Sequence, residues 1–157
     1  MIVVDTVFKD GRNFRSVREF SKPLKGRRYI EGAVLIRVDD VEIAGEEFSD
    51  LVDQLWCYVS DGVEKVSKGE SFECYFPDQP IRLAFDVIGN RVRIRLADED
   101  VRTRVVPQGD FLAEFSRAGV EFFNQLERLA PDFKETCARY RSKLLPFLER
   151  RSSPYPP

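Results

Sequence analysis

Apolar residues recur along the chain at two different spacings, which predict strands in some segments and a helix in another. Residues 2–8 and 29–38 are rich in β-branched and aromatic side chains, and residues 41–43 begin a return strand after a turn at Asp39 and Asp40. Over residues 47–66 the apolar positions fall three and four apart, which places them on one face of a helix. The first half of the chain is therefore expected to form strands followed by one amphipathic helix.

After this helix the apolar spacing changes to two and later returns to the helical spacing. Residues 70–106 alternate between apolar and polar positions, and Gly89-Asn90 suits a two-residue hairpin turn because both residues tolerate positive φ. These residues are expected to form an antiparallel meander. The remainder predicts two helices. The second begins at Pro131, whose missing N–H would have no partner in a first turn, and extends to about residue 150.

Together these elements predict one α+β domain, in which an antiparallel β-meander sheet has helices packed on one face and two helices follow at the C-terminus. We expect the domain to occupy residues 1–150 and an extended Pro-rich tail to occupy residues 151–157. A chain of 157 residues is long enough to bury a core without disulfides or metal ions.

Charge and cysteine usage narrow the compartment and the partners. The chain carries 25 basic and 27 acidic residues, a formal net charge of −2, so it has no general attraction to nucleic acids or anionic membranes. No apolar run approaches the roughly 20 residues of a membrane span, and the first residues lack the apolar stretch of a signal peptide. Cys57, Cys74 and Cys137 have no metal-binding spacing and are expected to be free thiols. These features indicate a cytoplasmic protein without a metal ion or cofactor.

Catalytic signatures are scarce in this sequence. The chain contains no histidine, which excludes Ser-His-Asp and Cys-His arrangements. An acid–base pair among Glu42, Glu73 and Asp86 stays open, although charges are ordinary at the polar positions of a half-exposed sheet. Cys57 lies among acids on its helix, which raise a thiol pKa, and the acids of residues 98–100 are typical of a solvated turn. A non-enzymatic protein is therefore favoured.

Arginines alternate along the predicted meander. Alternate residues of a strand point to the same side of a sheet, so we expect six arginines to share one face, opposite the apolar face under the helices. This arginine face is either solvated and partly neutralised by Glu73, Asp86 and Glu99, or it binds phosphates or carboxylates. Its other members, Thr103 and Ala84, are not aromatic, which disfavours stacking on nucleic-acid bases. The six residues are Arg82, Arg91, Arg93, Arg95, Arg102 and Arg104.

Acidic residues are concentrated between residues 39 and 53, where no lysine or arginine interrupts them. Acids near the start of a helix are stabilised by the helix macrodipole, which accounts for Glu46, Glu47 and Asp50 without a binding role. The alternative is a surface that attracts and orients a basic partner. The seven residues, called the acidic segment, are Asp39, Asp40, Glu42, Glu46, Glu47, Asp50 and Asp53.

The helix FSDLVDQLWCYVSDGVEKV, followed by FECYF, IRLAFDVIGNRVRIRL and terminal helices, resembles small cytosolic immunity proteins of bacterial polymorphic-toxin systems. The resemblance covers roughly residues 30–130 and concerns the architecture of a histidine-free, mildly acidic chain. It implies a cytoplasmic, non-enzymatic protein that binds a cognate toxin tightly and blocks its active site.

For a basic toxin domain, the acidic segment would form the contact, and nearby aromatic residues such as Trp56 or Tyr58 would supply buried apolar area. The position of Trp56 on the apolar face of its helix favours a place in the core instead. If the arginine face is the contact instead, the expected partner is acidic. Two other classes stay open. One is a small-ligand-binding protein or enzyme that uses the sheet carboxylates or the arginine face, and the other is a structural subunit of a larger assembly.

Overall fold

The strands of the N-terminal half form an antiparallel sheet of their own. The computed structural model describes residues 1–24, 26 and 29–148, so the expected tail over residues 151–157 lies outside the described residues. The strands of this first sheet are β1 (Ile2–Asp10), β2 (Asn13–Ser16), β3 (Glu31–Val38), β4 (Val41–Ala44) and β5 (Asp50–Leu51). They follow the order β2-β1-β3-β4, and β5 pairs with the start of β3.

The predicted meander is confirmed as a second antiparallel sheet. Its strands are β6 (Phe72–Tyr75), β7 (Arg82–Ile88), β8 (Arg91–Ala97) and β9 (Val101–Pro107), in that spatial order. Gly89, with a φ of 60°, and Asn90 form the expected two-residue turn between β7 and β8. Apolar alternation does not predict the division into two sheets, because it marks strands without showing which of them pair.

The α-helices are α1 (Val52–Ser67), α2 (Gln108–Leu129) and α3 (Lys134–Leu144). The first begins later than the predicted residue 47, because a 3₁₀ turn at Glu46–Phe48 and the strand β5 precede it. The macrodipole explanation for the acids at positions 46, 47 and 50 is therefore wrong. The last ends at Leu144 rather than near residue 150, and a 3₁₀ turn that contains Pro146 follows it, since proline is poorly accommodated inside a helix. None of the described helices combines the length and apolar character that a membrane crossing requires.

Helix α2 joins the two sheets into one core. Near its start the rings of Phe111 and Phe115 lie 4.8 Å and 5.2 Å from Phe85 on the second sheet. Further along, Phe122 lies 5.8 Å from Phe8 on the first sheet and 6.0 Å from Trp56 on α1. The buried apolar side chains of both sheets and of the helices accordingly form one cluster. The predicted α+β class, with helices on one face of the meander, is confirmed.

Helix α1 approaches the second sheet closely at Gly62. A Cβ atom at this position would lie 2.6 Å from Cδ1 of Phe72 on β6, closer than packed atoms come. The close approach requires glycine there, although glycine costs a helix about 1 kcal/mol relative to alanine. The glycine does not break the helix early, because α1 continues to Ser67.

Candidate binding surfaces

The outer face of the second sheet carries four of the six predicted arginines. The register pairs Arg82 with Ala97, Arg95 with Ala84, Arg93 with Asp86 and Arg91 with Ile88. Directly paired residues of neighbouring strands point to the same side of a sheet, so these arginines share the side opposite Leu83, Phe85 and Ile94. This surface, with Arg82, Arg91, Arg93, Arg95, Glu73 and Asp86 as its charged members, is called the outer face.

Arg102 and Arg104 lie on the other side of the sheet, so the prediction that six arginines share one face is wrong. They pair with Leu96 and Ile94, which point into the core, and the intervening Thr103 pairs with Arg95 on the outer face. The register of β9 depends on the turn at residues 98–100, and a shift of one residue moves every side chain to the opposite side. Alternation shows that Arg102 and Arg104 share a side, but it does not show which side.

Two carboxylates organise the arginines of the outer face. Glu73 forms ion pairs of 3.3 Å with Arg82 and 3.4 Å with Arg95. Asp86 forms pairs of 3.1 Å with Arg93 and 3.2 Å with Arg95. Partial burial acts to raise the pKa of Asp86, but the hydrogen bonds from Arg95 and Arg93 outweigh it and hold the pKa below its usual value. The predicted partial neutralisation therefore comes from Glu73 and Asp86.

The third predicted partner of the arginines, Glu99, forms no ion pair among the described residues. Asp98 instead pairs with Arg102 across the turn at 3.3 Å. Glu42, the remaining member of the suggested acid–base group, belongs to the first sheet, so only Glu73 and Asp86 share a face. Arg95 lies between these two carboxylates and pairs with both, so Glu73 and Asp86 neutralise arginine charge on the sheet surface.

Apolar side chains accompany the arginines on the outer face. Tyr75 and Val101 lie at the same end of the face as Arg82 and are 60% and 62% exposed. Ala84, in contrast, is buried beneath the charged side chains. Val105 and Ile88 are also exposed toward the other end. Alternation of apolar and polar residues does not by itself place an aromatic side chain on this face. Tyr75 pairs directly with Arg82, so the register between β6 and β7 is what places its ring on the outer face.

The acidic segment is divided between the surface and the interior. Asp50 is buried and accepts hydrogen bonds from the backbone N–H of Leu51 (2.6 Å), the backbone N–H of Asp78 (3.2 Å) and Nε2 of Gln79 (3.1 Å). These bonds hold the loop between β6 and β7 against β5. Asp50 is therefore a structural residue and does not belong to an exposed acidic surface.

Asp53 is also withdrawn from the surface, and it lies near two thiols. Burial raises the pKa of Asp53 above its usual value. Burial, followed by the charges of Asp53 and Asp61, raises the pKa of Cys57 to about 12. Burial likewise raises the pKa of Cys74 to about 12 and that of Cys137 to about 11. The thiols are thus protonated at neutral pH, and none of them has the lowered pKa of a nucleophilic cysteine.

The remaining acids of the segment are exposed. Asp39 and Asp40 form the turn between β3 and β4 with φ values of 48° and 64°. The hydrogen bond from the N-terminal amine of Met1 lowers the pKa of the Asp39 carboxyl. Glu42 and Glu47 approach each other over Gly45, where a Cβ atom would lie 2.7 Å from Oε1 of Glu42 and 2.5 Å from Oε2 of Glu47.

An open groove of about 550 Å³ lies where the 3₁₀ turn of the first sheet meets the loops of the second. The apolar lining of this groove, called the seam groove, includes the nearly buried side chains of Phe48 and Ile81. Its charged lining consists of Glu47, Asp98, Glu99 and Arg102. Three carboxylates against one guanidinium give the groove a net negative charge. Local patterns indicate a solvated turn at residues 98–100 and do not show that Asp98 and Glu99 line a groove.

Trp56 takes no part in either surface. Its side chain is fully buried, and its indole N–H donates a hydrogen bond of 3.0 Å to Oγ1 of Thr6 on β1. Trp56 is therefore a core residue, as the apolar face of its helix indicates, and does not supply buried area to a partner. Tyr58, on the same helix, is 37% exposed.

Buried charge at the edge of β1 has a structural role. Glu114 on α2 accepts a hydrogen bond of 2.8 Å from the backbone N–H of Val4, and Arg117 donates one of 2.6 Å to the carbonyl of Val4. The same two side chains form a 2.9 Å ion pair. They satisfy backbone groups of β1 where β2 does not extend, since β2 pairs only with residues 7–10.

Within residues 1–24, 26 and 29–148, no cluster of three or more cysteine, aspartate or glutamate side chains is placed to hold a metal ion. No protein-family model matches the chain, and neither the curated proteins nor the solved structures contain a match to it. The proposed function therefore rests on the seam groove and on the architectural resemblance described above.

Proposed function

We propose that this chain is a non-enzymatic cytoplasmic protein that binds a basic protein partner and blocks the partner's active site. This is the role of the immunity proteins that it resembles in predicted architecture, whose partners are cognate toxins. The observation that carries the proposal is the seam groove, in which an apolar lining lies beside a cluster of carboxylates.

The groove suits a lysine or arginine side chain of a partner. The aliphatic stem of such a residue packs on apolar surface while its charged end stays with polar groups. Pro80, which is exposed, provides apolar surface beside the nearly buried Phe48 and Ile81, and Glu47 and Glu99, which are also exposed, provide carboxylates. A charge-assisted hydrogen bond to a carboxylate is about twice as strong as a neutral one, so the groove favours a cationic side chain over a neutral one.

Surrounding acids extend the negative surface beyond the groove. Glu42 approaches Glu47 over Gly45, and Glu46 is exposed on the same 3₁₀ turn. Complementary charge of this kind accelerates association and fixes the orientation of the partner. The proposed surface thus keeps Glu42, Glu46 and Glu47 from the acidic segment and adds Asp98 and Glu99 from the second sheet.

Inhibition in this proposal depends on steric blocking. The basic residues of many enzymes that act on nucleic acids or other anionic substrates lie in the active-site cleft, and their pairing with the groove would place this domain over that cleft. No residue of this chain has to react. The role of each carboxylate is electrostatic, and the role of Phe48 and Ile81 is to exclude water around the pairs.

The test compares two double charge reversals that change the net charge equally. Glu47→Lys with Glu99→Lys alters the groove, and Glu19→Lys with Glu70→Lys alters exposed acids elsewhere. Asp98 is left intact because it accepts a hydrogen bond from the backbone N–H of Asp100 and pairs with Arg102. The partner is first identified by affinity capture and mass spectrometry and then purified separately.

The groove variant is expected to bind this partner at least tenfold more weakly, about 1.4 kcal/mol, and to lose inhibition in proportion. The control variant is expected to retain both. Equal affinity of the groove variant and the original chain would show that the seam groove is not the contact. An acidic partner would show that the proposed charge complementarity is wrong.

A further inference from the structure

The outer face of the second sheet has the composition of an interface, although the proposed function makes no use of it. Tyr75, Ile88, Val101 and Val105 are exposed large apolar residues, and all four lie on this one side of the sheet or at its edge. Tyrosine and arginine are enriched in protein interfaces relative to the rest of the surface. Apolar side chains gathered on one face together with arginines therefore point to a binding surface.

The charges of this face leave a positive excess. Four arginines face two carboxylates, Glu73 and Asp86, which bridge Arg82, Arg93 and Arg95. Arg91 forms no ion pair within the part of the chain that the structure describes, and it lies opposite Ile88 and Pro107 on the neighbouring strands. An exposed cation among apolar neighbours suits a carboxylate carried by an equally apolar segment.

The paired arginines also keep unused donors. An arginine side chain has five N–H donors. Among the described residues, Arg93 donates from Nε to Asp86 and Arg82 from Nη1 to Glu73. Their internal pairs restrict the side chains before a partner binds, so less conformational entropy is lost on binding, while the remaining guanidinium N–H groups are available to a further carboxylate.

We infer that the outer face is a second interaction surface, which binds an acidic polypeptide segment whose carboxylates alternate with apolar side chains. Carboxylates would pair with Arg91 and with the unused donors of Arg93, and apolar side chains would contact Val105 and Ile88. This inference does not depend on the proposed role of the seam groove, which has the opposite charge and lies on the other side of β9.

Other occupants fit the face less well. A second copy that packed its outer face symmetrically on this one would bring arginines against arginines. Single-stranded nucleic acid would stack its bases on several aromatic side chains, but Tyr75 is the one aromatic residue among the outer-face positions that the register defines.

The test uses the ¹⁵N-labelled full chain, titrated separately with poly-L-glutamate, a peptide in which glutamate alternates with valine, and oligothymidylate. Amide shifts are expected to concentrate on β7, β8 and β9, with the alternating peptide binding more tightly than poly-L-glutamate. Arg91→Glu, which breaks none of the ion pairs among the described residues, is expected to lower the affinity for the alternating peptide at least fivefold. The matched control Arg12→Glu changes the same charge in the turn after β1 and is expected to have no effect.

Val105→Thr, which keeps the charge and the shape of the side chain, gives a second readout of the apolar contribution and is expected to reduce the preference for the alternating peptide. The inference is overturned if shifts spread evenly over the surface, if Arg12→Glu weakens binding as much as Arg91→Glu, or if oligothymidylate binds more tightly than either peptide. The basic partner of the seam groove serves as a separate control: its binding is expected to be unchanged by Arg91→Glu.

Discussion

The guanidinium of Arg102 lies 5.0 Å from the ring centre of Phe48, so β9 of the second sheet contacts the 3₁₀ turn of the first. Asp98 holds the same guanidinium by a 3.3 Å ion pair. An arginine expected on the exposed face of the meander thus links the two sheets beside the seam groove. It also reduces the negative charge of the groove that the proposed function requires.

Replacement of Arg102 by alanine is expected to lower the free energy of unfolding by about 1 kcal/mol, because a cation–π contact and the packing of the arginine stem are lost. Urea denaturation measures this change. Arg104→Ala is the matched control, since Arg104 is exposed and, among the residues that the structure describes, its side chain donates a hydrogen bond only to the carbonyl of Thr103. Equal destabilisation by the two variants would contradict the role assigned to the Phe48 contact.

The hydrogen bond between Trp56 and Thr6 is expected to contribute to the stability of the core. Thr6→Val keeps the shape of the side chain but leaves the buried indole N–H without its acceptor, which should cost about 1–3 kcal/mol. Thr6→Ser retains the hydroxyl and is expected to lose less. Urea denaturation measures both changes. A Thr6→Val variant as stable as the original chain would show that this hydrogen bond does not stabilise the core.

Asp86 is expected to make the fold sensitive to acid. Because its pKa in the folded chain lies below the ordinary 3.8, the carboxylate stabilises the fold above that value, and this contribution is lost as the pH falls through the folded pKa. Asp86→Asn should therefore show a smaller loss of stability below about pH 4 than the original chain. The measurement is urea denaturation at several pH values, and an Asp86→Asn variant with the same pH dependence as the original chain would contradict this role.

The cysteines are expected to react slowly in the folded chain. The pKa values of about 12 for Cys57 and Cys74 and about 11 for Cys137 leave very little thiolate at pH 8. Alkylation by iodoacetamide should be at least about tenfold slower in the native chain than in urea, where the thiols regain ordinary pKa values. Mass spectrometry follows each site. A cysteine that reacts equally fast in both conditions would contradict its burial.

Local patterns predict most of the secondary structure of this chain. The alternation of residues 70–106 and the Gly89-Asn90 turn identify the meander, because the spacing of apolar residues and the φ of the turn are properties of neighbouring positions. Helix α2 follows from its apolar stripe in the same way. The spacing predicts too early a start for α1, because the apolar Phe48 continues the helical pattern although it lies in a 3₁₀ turn that a short strand separates from the helix.

The binding surfaces depend on relations that local patterns do not contain. Arg102 lies beside the seam groove because the turn at residues 98–100 sets the register of β9. Asp50 can be buried because Asp78 and Gln79, which are distant in sequence, donate hydrogen bonds to its carboxylate. Glu47 meets Asp98 and Glu99 only after the two sheets pack together. Charge composition therefore indicates that a charged surface exists, and tertiary packing decides which residues form it.

The most direct test of the proposed function is the footprint of the purified basic partner on this chain, measured by hydrogen–deuterium exchange. The proposed function predicts slower exchange at residues 46–48 and 97–102, which border the seam groove. The Glu47→Lys and Glu99→Lys double variant, mixed with the partner at a concentration that saturates the original chain, is expected to show no such protection. Protection confined to α3, with unchanged exchange at the groove, would contradict it.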